Sequence, residues 1–275
     1  SDLYKGIAEM GWTATTIPEE YGGLGMSYLE LVVIAEELGR ACAPVPFSST
    51  VYLAAEAIMA LGTEAQKQAW LPKFADGTAI GCFAMGEAGG RVTPDQMSTR
   101  MQDGVLNGTK VPVADGGIAS VAIVVCASDK GDGASLALVD LSQDAVSKDN
   151  VQMIDFSRGH TELVFDGACA EMLGEEGAGW TAVESLMNTA AVLFAWEQIG
   201  IADKALEQAR EYALGRFAFG RSIASYQAIK HKLAKMYVKN TLARSNAYYG
   251  AWALNAKASD LAVASATSRV AAIQA

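Results

Sequence analysis

The run Arg216-Phe217-Ala218-Phe219-Gly220, followed by Gln227 and by Ile229-Lys230-His231-Lys232-Leu233-Ala234, carries the most specific chemistry in the chain. A guanidinium keeps its charge at every ordinary pH and forks onto phosphate oxygens, while a phenyl face packs on a flat ring. An arginine, a ring and a carboxamide at this spacing suit a ligand that joins a phosphate to a heteroaromatic ring. The plainer reading of Arg216 is a helix-terminal charge that interacts with the last carbonyls. His231 lies between two lysines and reads as part of a solvated face.

Other reactive residue types are sparse. With two histidines, and with Cys42, Cys82, Cys126 and Cys169 in no pairwise motif, a metal site is not expected. The apolar or small neighbours of the cysteines predict buried free thiols in a reducing compartment. Tyr21-Gly22-Gly23-Leu24-Gly25 has the look of a phosphate loop but lacks a preceding strand and a following Gly-Lys-Ser/Thr, so it reads as a backbone turn.

The elements that must position the clamp are helices: Gln198 to Leu214 before it and Tyr226 to Leu254 after it, joined by a short glycine-containing connector. Ile201, Ala202, Ala205, Leu206, Ala209 and Ala213 form one apolar face, and Ile229, Leu233, Met236 and Tyr237 another, the pattern of a helical bundle. Leu261–Ala275 reads as part of a further helix that stops without a terminating signal. Upstream, Ala79–Met85, Gly104–Val113, Ser120–Ala127, Ser135–Leu141 and Glu162–Asp166 are short β-favouring runs separated by turn residues. No helical pattern interrupts them, so an antiparallel sandwich or barrel is expected rather than a parallel βαβ sheet. Before residue 78 the pattern is helical again. Ser27 with Glu30 and Thr63 with Gln66 have the spacing of capping boxes, Gly39 is a natural stop, and Leu71-Pro72 closes a short helix that carries Trp70. The fold class is α+β and multi-domain: a helical region at 1–78, a central antiparallel β-domain at 79–175 and a helical bundle at 176–275 whose C-terminal part reads as incomplete.

Composition bounds the partners. The 275 residues are 51% hydrophobic with only 6 prolines, as a packed protein requires. Net charge is −10, from 21 basic and 31 acidic residues, which argues against nucleic acid or anionic membrane surfaces as main partners. No signal-like start and no long uncharged apolar run is seen, so no membrane span and a cytoplasmic location are expected.

In order along nearly the whole chain, several landmarks resemble the acyl-CoA dehydrogenase family. They are Gly11-Trp12 with Ile17–Gly25, Ala35-Glu36-Glu37-Leu38-Gly39, Leu61–Lys67 with Trp70-Leu71-Pro72, Leu106–Lys110 with Asp115-Gly116-Gly117, Leu173–Gly179, and the Arg216-x-x-Phe219-Gly220…Gln227 signature. The resemblance implies a helical N-terminal domain, a β-domain and a C-terminal helical domain. It implies FAD as cofactor, with Arg216, Phe219 and Gln227 gripping the FAD of a neighbouring subunit in a dimer or tetramer. It further implies α,β-dehydrogenation of an acyl-CoA thioester, with an electron-transfer flavoprotein as acceptor.

The chain departs from the family pattern where the flavin ring edge is expected. Gly86 stands for a hydroxyl residue in Met85-Gly86-Glu87-Ala88; Pro112 and Ala114 stand for an aromatic and a hydroxyl residue in Val111–Ala114. Backbone groups at Met85, Gly86 and Ala114 are what remains to meet a flavin. The base is the second gap, because most members carry it nearer the C-terminus than this chain extends. A minority place it before the arginine signature, and that position is Ala190 here, flanked by Glu184 and Glu197. Glu197 shares the helix face but lies about 10 Å further along, and a structural carboxylate is the competing reading. Three functions stay open: an FAD-dependent acyl-CoA dehydrogenase subunit; a non-catalytic partner that completes the FAD site of a homologous subunit, as the resemblance to α2β2 steroid-type members implies; or a related flavin monooxygenase or nitroalkane-oxidising member.

Overall fold

The computed structural model describes residues 2–90 and 92–275. Its chain divides into two compact units, Ser1–Met26 with Pro44–Met187, and Ser27–Ala43 with Asn188–Ala275.

The first unit opens with α1 (Asp2–Glu9). It resumes after the excursion of α2 (Tyr28–Arg40) into the second unit. A π-helical run follows at Ser48–Ala55, then α3 (Glu56–Leu61) and α4 (Glu64–Ala75). The sheet comprises β1 (Gly81–Ala84), β2 (Arg100–Gln102), β3 (Val105–Ala114), β4 (Val121–Ala127), β5 (Ala134–Asp140), β6 (Val146–Val151), β7 (His160–Cys169) and β8 (Glu171–Leu173). The strands run in the order β6-β7-β3-β2-β4-β5-β8, with β1 paired to β4. Most pairings are antiparallel, as expected, but β1 lies parallel to β4, in register Gly81 with Val121. The short strands β2, β6 and β8 had no visible signal because β2 and β8 are only three residues long and β6 is mostly polar.

Alternation along β4 explains how this sheet is buried. Val121, Ile123, Val125 and Ala127 face a core that also holds Ile58, Leu71, Phe74, Val183 and Leu186. Ala122, Val124 and Cys126 point the other way, toward Leu106, Val113, Val139, Leu163 and Phe165. Period-two side chains covered on both faces produce a nearly unbroken apolar strand.

The second unit contains α2, most of α5 (Gly179–Gly215), the two-stranded hairpin β9 (Phe217–Ala218) and β10 (Arg221–Ser222), α6 (Gln227–Asn255) and α7 (Leu261–Gln274). Gly39 does not stop α2, which continues to Arg40. A β-carbon at Gly39 would lie 1.9 Å from the Glu197 carbonyl oxygen, and one at Gly200 2.0 Å from that of Glu36. The two glycines allow α2 and α5 to cross in backbone contact. Arg244 of α6 then bridges Glu36 of α2 at 2.7 and 2.9 Å and Asp203 of α5 at 2.5 Å.

Three expectations are corrected here. Pro72 lies inside α4 rather than ending it; its ring falls late in a helix that runs on to Ala75. Cys42 and Cys169 are exposed; only Cys82 and Cys126 are buried, though all four are free thiols. The apolar faces after Ile201 and Ile229 are not sealed within the chain: Ile201 is 44% and Tyr237 64% exposed. No helix among the described residues is long and apolar enough to cross a membrane.

Candidate cofactor site

In the first unit the chain leaves β1 as Met85-Gly86-Glu87 and is tied at once to β3. The Val111 amide donates to the Gly86 carbonyl at 2.9 Å. The Lys110 ammonium, fully buried, donates to the Met85 carbonyl at 3.1 Å and to Glu87 Oε1 at 2.8 Å. Glu87 also accepts from the Ser98 amide (2.8 Å), Ser98 Oγ (2.7 Å) and the Thr99 amide (3.1 Å). Burial pushes the Glu87 carboxyl up, but Lys110 and the Ser98 and Thr99 donors outweigh it and hold the group at about 2. For Lys110, burial outweighs Glu87 and lowers its pKa below the ordinary value. Glu87, Ala88, Gly89, Gly90, Val92, Gln96 and Met97 line a cavity of about 290 Å³ beside this clamp.

A side chain at residue 86 has little room, since a β-carbon there would sit 3.0 Å from the Val111 carbonyl oxygen. Ala114 ends β3 opposite His160. Met85, Gly86 and Ala114 are all half-buried, and the structure brings them to one end of β1 and β3, where they present backbone rather than hydroxyl groups. Next to Ala114, Asp115 accepts from Ser49 Oγ at 2.5 Å and pairs with the Arg158 guanidinium, which also reaches Ser48 Oγ. This network seats the start of the π-helical run against the end of β3.

In the second unit the signature connector is a hairpin. The Arg216 amide closes the last turn of α5 on Tyr212 O at 2.8 Å, and Ser222 Oγ donates to Ala213 O (2.7 Å) and Leu214 O (3.0 Å). Helix-end carbonyls that would otherwise be orphaned are thereby satisfied by the returning strand. The Tyr226 hydroxyl donates to Ala218 O at 2.9 Å while the Arg221 guanidinium lies 4.2 Å from the Tyr226 ring centroid. At the tip, Phe219 takes a left-handed backbone (φ 52°), as does Gly220 (φ 76°). Phe219 is 96% exposed and Phe217 66%. Arg216 and Gln227 are exposed, and among the described residues neither side chain makes a hydrogen bond or ion pair.

Glu197 lies half-buried in α5 at the crossing with α2, and its charge is felt by Arg269 of α7. Two groups near the ring-edge positions escaped the sequence reading, Lys110 and Arg158. Lys110 shares strand parity with buried Leu106, and a lysine on an apolar face demands a buried carboxylate partner. That signal was available. Arg158 sits in an irregular loop and announces nothing.

The hairpin fits a flavin nucleotide in the types of group it offers: its guanidinium, ring and carboxamide are exposed and, among the described residues, unengaged. The β1–β3 end offers backbone groups alone.

Comparison with known proteins agrees with this picture. Residues 1–78 match the acyl-CoA dehydrogenase N-terminal domain and residues 177–273 the acyl-CoA dehydrogenase C-terminal domain. The chain is 31% identical over 267 residues to an acryloyl-CoA reductase (NADH) of Anaerotignum propionicum, covering 92% of this chain and 68% of that protein. It is 32% identical to the human mitochondrial short-chain specific acyl-CoA dehydrogenase over 84% of this chain, but spans only 60% of that enzyme's length. Among solved structures, butyryl-CoA dehydrogenase from Megasphaera elsdenii superposes with a TM-score of 0.90 at 27% identity, covering 100% of this chain and 76% of that one. A glutaryl-CoA dehydrogenase from Mycobacterium smegmatis, in complex with FADH2, gives 0.88 at 25% identity, covering 99% and 73%. Matching family domains at both ends, a shared fold throughout and a free cationic, aromatic hairpin in register with the signature together establish that the chain belongs to the acyl-CoA dehydrogenase family, a family of FAD-linked oxidoreductases acting on the CH–CH bond of acyl-CoA thioesters.

Proposed function

We propose that this chain is a subunit of an FAD-dependent acyl-CoA dehydrogenase acting on the α,β bond of an acyl-CoA, working as an oligomer. The observation that supports it is the hairpin at Arg216–Ser222, whose guanidinium and flat ring stand exposed and, among the described residues, unengaged. FAD, when bound, supplies hydride acceptance from the β-carbon. Arg216 holds phosphate oxygens, Phe219 packs on a planar ring and Gln227 contributes amide hydrogen bonds, for the cofactor of a neighbouring subunit. Met85, Gly86 and Ala114 address the ring edge through their backbone. Glu197 serves helix packing and balances Arg269 rather than acting as the base. A short acyl chain fits the curated relatives best, and an electron-transfer flavoprotein as acceptor accords with the likeness to a solved structure of the electron transferring flavoprotein of Acidaminococcus fermentans.

The test is flavin content and anaerobic bleaching of the purified protein on addition of short acyl-CoA thioesters. Bound flavin that no acyl-CoA bleaches sinks this reading.

One observation favours a second reading. The absence of any ring-edge hydroxyl, with little room for one at Gly86, fits a partner that lends its hairpin to a homologous catalytic subunit. That reading requires flavin to be missing from the isolated chain and to be retained when the two subunits are purified together.

A further inference from the structure

A buried lysine is a poor choice for stability. Its desolvation is costly, and an apolar chain of similar volume usually serves a core as well or better. Lys110 is nevertheless fully buried in β3, on the face occupied by Leu106 and Cys126. What the ammonium does there is orient backbone. It donates to the Met85 carbonyl at 3.1 Å, and the next peptide's carbonyl, that of Gly86, accepts from the Val111 amide at 2.9 Å. The Met85–Gly86 bond is trans, so turning its carbonyl toward Lys110 turns the Gly86 N–H the opposite way. Among the described residues that N–H has no acceptor. The third contact, to Glu87, fixes the carboxylate that receives Ser98 and Thr99. Gly108 lets β3 approach Thr99: a β-carbon there would lie 2.6 Å from Thr99 Cα.

We propose that Lys110 is a positioning residue of the cofactor site, holding the Met85–Gly86 peptide so that its free N–H faces the ligand and holding Glu87, which in turn pins the Ser98 and Thr99 amides. This rests on the reading of Met85 and Gly86 as ring-edge residues. Lys110 touches no reacting atom; it acts through the peptide and the carboxylate.

The test compares the full-length chain with Lys110→Met, Glu87→Gln and Val139→Ala, the last a buried change elsewhere in the same core. Two readouts are taken on each: FAD affinity by fluorescence titration, and the rate of hydrogen exchange at the Ser98 and Thr99 amides without cofactor. Lys110→Met is expected to weaken FAD binding at least tenfold and to speed exchange at least tenfold. Val139→Ala lowers the melting temperature with neither change. Lys110→Met that folds and leaves both readouts at parental values overturns the proposal. Should Lys110→Met fail to fold, Glu87→Gln decides in the same way, since it keeps an oxygen toward Lys110 while removing the charge that gathers Ser98 and Thr99. A parent chain that takes up no FAD defeats the ring-edge reading instead, and the exchange rates, which need no cofactor, still decide whether Lys110 and Glu87 hold Ser98 and Thr99.

Discussion

The β1–β3 end of the first unit and the hairpin of the second carry similar groups in opposite states. Lys110, Glu87, Asp115 and Arg158 are matched to one another or to nearby hydroxyl and amide groups, and all are largely buried. Arg216, Phe219 and Gln227 lie on the surface and, among the described residues, their polar atoms and ring are unengaged. The first arrangement shapes backbone, so altering it should change stability. The second has few internal contacts to lose, so on the proposed reading altering it should change ligand affinity instead. The contrast lies in where each charge is satisfied: inside the chain, or, on that reading, by a ligand.

The largest effect expected from this contrast is at Asp115. Asp115→Ala strands the Arg158 guanidinium in a site only 22% exposed, and removing one partner of a buried pair costs about 3–5 kcal/mol. Urea unfolding measures it, and a loss below about 1 kcal/mol would mean that Ser48 and Ser49 suffice to hold the arginine. Glu87 gives the next effect, through pH. Its carboxyl is held at about 2 in the folded chain against 4.5 ordinarily. A depressed acid stabilises the fold above its unfolded pKa and loses that contribution as pH falls through the folded one. Stability should therefore drop by an amount on the order of 3 kcal/mol between about pH 5 and pH 2. Glu87→Gln should flatten that part of the acid-unfolding curve, and an unchanged slope would remove Glu87 as its source.

The same contrast explains what was legible in the sequence. Local signals read true: the capping boxes at Ser27 and Thr63 form as written, with both reciprocal hydrogen bonds. The long β-favouring runs became β1, β3, β4, β5 and β7 because alternation is a local property. Signals that depend on a distant partner misled or were silent. Gly39 looked like a helix stop because its real reason, the Glu197 carbonyl pressed against it, is 158 positions away. Lys110 meets Glu87 across 23 residues, and the Arg158 network draws on three separate segments. Exposed Cys42 and Cys169 look no different in sequence from the buried pair. The hairpin was the most legible part of the candidate site, since the role proposed for it draws only on residues that are near neighbours in the chain.

Arg216→Ala is the direct probe of the hairpin. Loss of a charge-assisted contact to phosphate should weaken FAD binding about tenfold to hundredfold. The melting curve should stay within about 0.5 kcal/mol of the parent, as for a surface change away from any internal partner. Flavin retention on gel filtration and calorimetric unfolding give the two numbers. A large stability loss with unchanged affinity would reverse the assignment of the two regions.

Phe219 sharpens the comparison with the smallest change. An aromatic side chain in left-handed backbone at full exposure opposes folding twice, through a sparsely allowed φ of 52° and through an apolar ring left in water. Nothing among the described residues compensates, and contact of the ring with a bound cofactor is what the proposed function would supply. Phe219→Gly removes both penalties, because glycine adopts positive φ without a β-carbon clash. It should raise stability by about 0.5–1 kcal/mol, while removal of the ring should cost roughly 0.5–1.5 kcal/mol of FAD affinity, a loss of about two- to tenfold. Opposite signs from one substitution, read by thermal unfolding and FAD titration, are the signature of a residue kept for binding. If both quantities fall together, Phe219 is holding the hairpin in shape and belongs with Lys110 and Asp115 rather than with Arg216.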